Sequence, residues 1–389
     1  MSMANAIPYE ATAVLVLADG TTIFGRGFGA NVTRVGQIVF NTSITGYQEI
    51  ITDLSYTEQI IIFTFPHVGN VGTNVNDYET ASPTAIGCVL RADITGFSNY
   101  RAEHTFNDWL KFHDLPCISR VDTRWLTRRI RDDGITYGAL CVAYDGKFDV
   151  DSLQKQTIEC SDLKGIDLVK KVTCKNTYSW DTTLWSFAKN SREDGYGRMT
   201  AAKKHVVAID YGAKRNMLRN LADICCRVTV VPANTTAEEI FDYRPDGIFL
   251  TNGPGDPTIT SIYAVPEIKK LIDSDKPIFG ICLGHQLLAL ALGAETIRMH
   301  IGHRGSNHPV KDLETGKVEI TTQNHGFVVA ETGLPHGVTI THCSLFDRSV
   351  EGIKVDNKPI FSVQYHPEAS PGPTDSRYLF TKFLKAMSG

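Results

Sequence analysis

Residues 280–286 place a cysteine at the kind of turn that exposes a nucleophile. They read Gly-Ile-Cys-Leu-Gly-His-Gln and follow the short apolar stretch 277–279. Gly-x-Cys-x-Gly after a strand is typical of a nucleophile elbow, in which the central residue is strained and its neighbours must be small. Cys282 would then lie at the N-terminus of a helix predicted for 285–292, where the helix dipole favours the reactive thiolate. Because a lone cysteine is more often a small buried hydrophobe, Cys282 needs supporting groups elsewhere in the chain.

Two further motifs supply such groups. Residues 364–368 read Gln-Tyr-His-Pro-Glu and offer His366 with a carboxylate, Glu368, two positions later. A thiol needs a base for its proton, and the base needs an acceptor on its other ring nitrogen, so Cys282, His366 and Glu368 are a candidate nucleophile, base and orienting group. Residues 251–257 read Thr-Asn-Gly-Pro-Gly-Asp-Pro, a turn that can aim backbone N–H groups at an oxyanion. Taken singly, this turn would be an ordinary surface loop and Glu368 a charge at a helix N-terminus.

In residue type and order, the three motifs resemble the triad class of glutamine amidotransferases over roughly the last half of the chain. The resemblance implies that the cysteine attacks the side-chain amide of glutamine and expels ammonia, and that water then hydrolyses the glutamyl thioester. It also implies that the backbone N–H groups of Leu283 and Gly253 bind the oxyanion.

The elements that must position these motifs alternate along the second half of the chain. Apolar strands are predicted at 205–210, 226–231, 247–250 and 277–281, and helices at 215–224, 236–242, from Pro266 onward, and at 285–292. Such alternation predicts a doubly wound, mostly parallel α/β sheet, whose ligands lie at the carboxyl ends of the strands, where all three motifs fall. Segments 318–322 and 338–342 are predicted as additional strands, with antiparallel pairing left open.

The first half has a different pattern, which predicts a separate mixed α/β domain. It contains a hairpin with an Asp-Gly turn at 13–27, strands at 37–42, 59–65 and 136–143, and helices at 104–113 and 122–131. The following polar stretch is interpreted as a helical connector plus linker. The predicted domains are therefore 1–150, a connector at 151–202, and an amidotransferase domain at 203–389.

Motifs in both halves resemble the small-subunit family of carbamoyl-phosphate synthetase. The motifs are Phe-Asn-Thr-Ser-Ile-Thr-Gly-Tyr-Gln-Glu at 40–49, Pro-His-Val-Gly-Asn-Val-Gly at 66–72, Asp-Thr-Arg at 122–124, and the runs 302–310, 323–327 and 368–373. The resemblance extends from about residue 12 to the C-terminus. Leu54 is a departure, because the family has proline there, and its loss frees φ at the turn before Ser55.

This resemblance implies a set of glutamine-binding residues. They are Ser55, Gly253, Gly255, Leu283, Gln286, Asn324, Gly326 and Phe327. Backbone groups near glycines suit a zwitterion, which needs donors for its carboxylate and acceptors for its ammonium. The residues themselves leave alternatives open. Gln286 could face solvent, and residues 324–326 could form a tight turn. His285 could tune the charge of the site or make a structural hydrogen bond, and the role of His325 is undecided.

The resemblance implies a glutamine-hydrolysing chain that passes ammonia to a large synthetase subunit. That partner would make carbamoyl phosphate from bicarbonate and ATP, for pyrimidine and arginine biosynthesis, in a heterodimer or higher oligomer. Since this chain has no Walker-type run and no Gly-x-Gly-x-x-Gly loop, we expect no cofactor in it and assign ATP and Mg to the partner. Two alternatives are a non-catalytic regulatory scaffold, which the intact triad disfavours, and a free-standing thiol hydrolase, which the long N-terminal extension disfavours.

The composition of the chain excludes several classes of partner and of site. The chain has 389 residues, 42% hydrophobic and 21% charged, with a net charge of −4, so nothing indicates a nucleic-acid or anionic-membrane partner. There is no apolar run long enough to span a bilayer and no signal-peptide pattern at the N-terminus. Nine cysteines without a Cys-x-x-Cys pair favour a reducing cytoplasm. His300, His303 and His308 lie close in sequence, but without suitably spaced acidic ligands we expect no metal.

Overall fold

The chain folds as two units, Met1–Lys164 and Gly165–Gly389, each described here by itself. The structure is a computed structural model and describes residues 10–134, 137–161, 165–186 and 195–388. Within these ranges, no helix combines the length and the apolar character needed to cross a membrane.

A closed sheet of seven strands forms the centre of the N-terminal unit. In chain order its elements are β1 (Ala13–Leu17), β2 (Thr22–Gly29), β3 (Thr33–Asn41), α1 (Tyr47–Ile51), a 3₁₀ turn (Leu54–Tyr56), β4 (Gln59–Phe63), β5 (Gly87–Val89), α2 (Phe106–Phe112), β6 (Pro116–Ser119), α3 (Thr123–Asp133), β7 (Tyr137–Val142) and α4 (Val150–Ser161). The strand order is β1-β2-β6-β5-β4-β3-β7, and the sheet closes because β7 pairs with both β1 and β3.

Local sequence accounts for many of these elements. The predicted hairpin forms between β1 and β2, with Gly20 in the left-handed conformation at φ 84°. The N-caps are Thr105 for α2 and Asp122 for α3, whose side chains accept hydrogen bonds from Asp108 N and Trp125 N. Strands β5 and β6 were not predicted, because three or four buried residues carry too little periodicity to identify a strand.

The predicted connector is divided between the two units. Helix α4 lies in the first unit, where Leu153 packs against Val14, Val16 and Ala139. In the second unit follow α5 (Val169–Val172), β8 (Tyr178–Trp180), β9 (Thr182–Trp185) and β10 (Tyr196–Arg198). Strand β8 joins the large sheet of that unit, so this part of the chain is not a simple linker. The boundaries at 150 and 203 stay a prediction.

The C-terminal unit contains a sheet of ten strands. Its remaining elements are β11 (Lys204–Asp210), α6 (Arg215–Asp223), β12 (Cys226–Pro232), α7 (Ala237–Asp242), β13 (Gly247–Leu250), α8 (Pro257–Asp273), β14 (Ile278–Ile281), α9 (Leu283–Leu292), β15 (Thr296–Asp312), β16 (Val318–Val329), β17 (Val338–Ser344), β18 (Val350–Val355), β19 (Ile360–Val363) and α10 (Tyr378–Ala386). The strand order is β16-β15-β17-β18-β19-β14-β13-β11-β12-β8.

Parallel and antiparallel strands occupy different parts of this sheet. Strands β12, β11, β13, β14 and β19 are parallel neighbours, while β15 to β18 form an antiparallel extension and β8 an antiparallel edge. Helices α7, α8 and α9 pack on one face of the parallel part, and α6 and α10 pack on the other. The unit is therefore mixed α/β, with a larger antiparallel part than the sequence indicated.

One helix boundary was predicted incorrectly. The helix expected from Pro266 onward begins nine residues earlier, at Pro257, and contains Pro266 in its interior. Asp256 is its N-cap and accepts from Thr258 N at 2.9 Å, while Pro257 occupies the first turn, where no N–H is needed. The Asp-Pro pair is thus a stronger start signal than the isolated proline that follows it.

Candidate active site

Strand β14 and helix α9 meet at Cys282 in the sharp turn that the sequence predicted. Cys282 is the N-cap of α9, with φ 55° and ψ −106°, a strained backbone conformation for a residue with a side chain. A Cβ on Gly284 would clash with the carbonyl oxygen of Leu250, and one on Gly280 would lie 2.9 Å from the carbonyl oxygen of Gly284. Both glycines are required for the close approach of strand and helix.

His366 and Glu368 form a buried pair just beyond β19. His366 Nδ1 lies 2.7 Å from Glu368 Oε1, and both side chains are almost completely buried. Burial opposes the imidazolium, but the Glu368 carboxylate and the Cys282 sulfur outweigh it and raise the pKa of His366 to about 10. His366 Nε2 is buried and has no hydrogen-bond partner among the described residues. The pair therefore leaves one ring nitrogen available to exchange a proton with the thiol.

A buried lysine, which the sequence analysis did not identify, completes this charge arrangement. Lys214 Nζ lies 3.0 Å from Glu368 Oε1 and donates to the carbonyl oxygen of Ala369 at 2.7 Å. Burial alone would raise the pKa of Glu368, but Lys214 and His366 together lower it to about 2. The position of Lys214 in the sequence could have identified it. Lys214 follows β11, whose carboxyl end lies at the same edge of the sheet as the other motifs.

Strand β16 provides backbone contacts to Cys282 and His366. Cys282 Sγ donates to the carbonyl oxygen of Asn324 at 3.7 Å, and His366 N donates to the carbonyl oxygen of Thr322 at 2.8 Å. The alternative of a tight turn at 324–326 is wrong, because Asn324 pairs with Arg304 in the β15–β16 ladder.

Gln286, Phe327 and Asn324 are brought together with Cys282. The Gln286 side chain donates to the carbonyl oxygen of Phe327 at 2.9 Å and to Gln364 Oε1 at 3.0 Å. With 3% of its surface exposed, Gln286 does not face solvent, so that alternative is wrong. Gly326 lies between Asn324 and Phe327 in the same strand.

The Gly-Pro-Gly turn lies against the start of α9. Gly284 N donates to the carbonyl oxygen of Thr251 at 3.0 Å. A Cβ on Gly253 would lie 2.8 Å from the Leu283 side chain, so the two backbone segments are neighbours. Gly255 adopts φ 94°, which favours glycine. This placement is compatible with two oxyanion donors near Cys282 Sγ.

Ser55 belongs to the N-terminal unit, in the 3₁₀ turn Leu54–Tyr56. The Asp53 carboxylate accepts from Ser55 N at 2.9 Å, and Tyr56 N donates to the carbonyl oxygen of Asp53 at 3.0 Å. The turn is thus held by a side-chain cap, with Leu54 as its first residue.

Two histidines that the sequence left undecided make hydrogen bonds within the protein. His285 Nδ1 lies 2.8 Å from Ser362 Oγ, and burial lowers the pKa of His285 to about 3. His325 contacts Gln323 Oε1 and the carbonyl oxygen of Phe327, each at 2.9 Å. These contacts favour the structural interpretation of His285.

One group of buried residues in the described part has metal-ligand chemistry. His303, His325 and Glu351 each offer an atom within 4.8 Å of the others. His308, from the stretch noted in the sequence, is not in this group. Both ring nitrogens of His325 and both carboxylate oxygens of Glu351 already have protein partners.

Comparison with known proteins identifies both halves of the chain. The family described as glutamine amidotransferase class-I matches residues 207–386, and the family described as carbamoyl-phosphate synthase small chain, CPSase domain, matches residues 15–140. A protein of Bradyrhizobium diazoefficiens named carbamoyl phosphate synthase small chain is 54% identical over 97% of this chain and 96% of its own length. The chain belongs to the carbamoyl-phosphate synthase small-chain family. It is a glutamine-hydrolysing small chain by its domains and its relatives.

A second relative matches as closely, whereas a solved structure matches only weakly. A small chain of the same name from Ruegeria pomeroyi is 55% identical over 97% of this chain and 96% of its own length. A solved structure of a glutamine amidotransferase from Thermotoga maritima covers 42% of this chain and 76% of its own, at 21% identity and a TM-score of 0.34. The structural match is too weak to add to the family assignment.

A small chain implies a complex with a large partner.

Proposed function

We propose that this small chain hydrolyses L-glutamine through a thioester on Cys282. His366 holds the thiol proton as an imidazolium when the sulfur attacks the side-chain carbonyl carbon, and it gives this proton to the departing ammonia as the C–N bond breaks. Water, deprotonated by His366, then cleaves the thioester to glutamate. The observation that carries this proposal is the strained Cys282 elbow beside a histidine whose Nδ1 is held by Glu368.

The remaining groups have supporting roles in this proposal. Lys214 keeps Glu368 ionised, so that the carboxylate orients His366 and stabilises its imidazolium. The N–H groups of Leu283 and Gly253 bind the oxyanion that develops on the amide oxygen. The amino-acid end of glutamine is bound by Gly255, Gln286, Asn324, Gly326 and Phe327.

The partner and the setting are also proposals. Ammonia passes to a large subunit in a heterodimer or higher oligomer, where ATP and Mg support the synthesis of carbamoyl phosphate for pyrimidine and arginine biosynthesis. We infer a doubly wound amidotransferase unit, which the helices on both faces of the parallel strands support. A cytoplasmic setting is consistent with nine free thiols. The scaffold and free-standing hydrolase alternatives are less consistent with an intact triad in a small chain.

The test is Cys282→Ser in the complex with the large subunit. We expect glutamine-dependent synthesis to fall by about three orders of magnitude or more, because the nucleophile of a cooperating triad is removed. Ammonia-dependent synthesis should be retained, since the cysteine acts only in releasing ammonia.

Cys343→Ser is the matched control, because Cys343 is a half-buried thiol on β17 outside the site. It should leave both activities unchanged. Retention of glutamine-dependent synthesis by Cys282→Ser would contradict the proposal.

A further inference from the structure

Glu351 is a fully buried carboxylate on β18 that belongs neither to the triad nor to the residues expected to bind glutamine. Its side chain has no exposed surface. Burying a charge is costly unless it is paired or hydrogen-bonded, so its partners indicate what it holds in place. Glu351 Oε2 accepts from Gln323 Nε2 at 2.9 Å, and Oε1 accepts from Ser349 Oγ at 3.3 Å and lies 3.5 Å from His303 Nδ1.

His303 is itself held from its other side. His303 Nε2 lies 2.9 Å from Asp347 Oδ2, and its ring packs against His325 with centroids 5.0 Å apart. The imidazole thus lies between two carboxylates, which outweigh the effect of burial and raise the pKa of His303. Both carboxylates therefore face the same imidazole, Glu351 from the interior and Asp347 from a partly exposed position.

The network reaches the strand that contacts the nucleophile. Gln323, held by Glu351, places its Oε1 2.9 Å from His325 Nε2, and His325 Nδ1 contacts the carbonyl oxygen of Phe327. The neighbouring carbonyl groups of the same strand accept from the catalytic residues: Thr322 O from His366 N, and Asn324 O from Cys282 Sγ. Side-chain bonds at 323 and 325 therefore alternate along the strand with the carbonyl groups at 322 and 324 that contact His366 and Cys282.

A second connection runs through the backbone of Glu351. Its carbonyl oxygen accepts from Gln364 N at 2.9 Å. Gln364 precedes His366 by two residues, and its side chain accepts from Gln286 at 3.0 Å. One residue thus ties β16 and the segment leading to His366 to the same point of the sheet.

We propose that Glu351, together with His303 and Gln323, is a positioning group that holds strand β16 against Cys282 and His366 and so shapes the wall of the glutamine site. The inference rests on the proposed glutamine hydrolysis and adds residues that act on it through other residues. Losing the carboxylate leaves the buried Gln323 amide with its longer bond to Thr321 Oγ1, at 3.3 Å, and the strand would shift to satisfy the amide better. A displacement of about 1 Å at reacting groups can lower a rate by about a hundredfold.

The experiment compares Glu351→Leu and Glu351→Gln in the complex with the large subunit. For Glu351→Leu we expect KM for glutamine to rise by about tenfold or more and kcat for glutamine-dependent synthesis to fall, because the strand is no longer tied down. Ammonia-dependent synthesis should be unchanged. Glu351→Gln should remain within about threefold of the unsubstituted complex, because an amide oxygen can still accept from Gln323.

Asp312→Leu is the matched control. Asp312 is also a buried carboxylate of this sheet, but its partners, Thr315 and the backbone of Glu314, lie in the turn after β15. Asp312→Leu should be less stable than the unsubstituted protein but should keep its KM for glutamine. A general structural weakening would affect Glu351→Leu and Asp312→Leu alike, and Glu351→Gln would then be as impaired as Glu351→Leu.

Unchanged kinetics of Glu351→Leu would overturn the inference, and so would a Glu351→Gln variant as impaired as Glu351→Leu. If Glu351→Leu does not fold, Gln323→Met removes the same bond from the side of β16, and an unchanged KM in that variant overturns the inference equally. Failure of the proposed function would be visible separately, as absence of glutamine-dependent synthesis in the unsubstituted complex.

Discussion

Replacing Lys214 by methionine removes the charge that faces Glu368 while nearly keeping the length of the side chain. The two groups are 3.0 Å apart, with 2% and 0% of their side-chain surfaces exposed. The substitution would leave the carboxylate buried with His366 as its remaining close charge partner. We therefore expect Lys214→Met to reduce both the stability of the C-terminal unit and the rate of glutamine hydrolysis.

The size of the stability effect follows from two arguments. Removing one partner of a buried ion pair typically costs about 3–5 kcal/mol. In addition, the fall of the pKa of Glu368 from 4.5 to about 2 corresponds to roughly 3 kcal/mol in favour of the carboxylate, which Lys214 and His366 share. Since a domain of this kind is stable by about 5–15 kcal/mol, a loss of about 3 kcal/mol would be readily measurable.

The pH dependence has a definite sign. Because the pKa of Glu368 is lower in the folded protein than in the unfolded chain, its contribution to stability is present above about pH 4.5 and is lost as the pH falls toward 2. Without Lys214, His366 opposes the effect of burial with less help, so the pKa of Glu368 should be higher than in the unsubstituted protein. The acid-side loss of stability and of glutaminase activity should therefore begin at a higher pH in Lys214→Met.

The assay is urea unfolding of the full chain at pH 7 and pH 5, with a pH profile of glutamine hydrolysis by the complex. Lys204→Met is the control, because Lys204 lies 3.6 Å from Asp246 in a pair with 25% and 41% of the side-chain surfaces exposed, and should cost about 1 kcal/mol or less. The double variant Lys214→Met/Glu368→Gln should recover part of the stability, since it removes the buried carboxylate that Lys214→Met leaves without its lysine partner. The reasoning would be refuted if Lys214→Met were as stable as Lys204→Met and if its stability and glutaminase activity were lost at the same acid pH as in the unsubstituted protein.

Two further predictions concern the triad and the elbow. His366→Asn should lower the kcat of glutamine-dependent synthesis nearly as much as loss of Cys282, while Glu368→Gln should lower it less. Steady-state kinetics of the complex will measure both effects, and the reverse order would contradict the assigned roles. Gly284→Ala should cost about 2 kcal/mol or more in urea unfolding, because its Cβ would clash with the Leu250 carbonyl oxygen, and an unaffected variant would show that the turn can relax.

Local features of the sequence were sufficient for the elbow and for most helix ends. Gly280 and Gly284 identify the turn around Cys282 because no larger residue fits there. The Thr236–Glu239 capping box marks the start of α7, and Gly293 ends α9 at φ 99°. Each of these signals depends on residues within four positions of one another, so no knowledge of the fold was needed.

Long-range pairing could not be predicted in the same way. The closure of the N-terminal sheet depends on β7 pairing with both β1 and β3, and the short strands β5 and β6 are buried without a periodic pattern. Residues 324–326 were compatible with a turn because asparagine and glycine suit positive φ, yet the pairing with β15 makes them part of a strand. Tertiary contacts overrode local preference in these segments.

The sequence by itself determined the chemistry: the cysteine elbow, the histidine with its carboxylate, and their order are sufficient to indicate a thiol nucleophile with its base. Only the tertiary structure decided how these groups are charged and held. Lys214 reaches Glu368 from a distant part of the chain, and Glu351 reaches His303 and Gln323 from other strands. From the sequence alone, a lysine or a glutamate is expected to lie on the protein surface. Burial and pairing depend on which distant segments the sheet brings together.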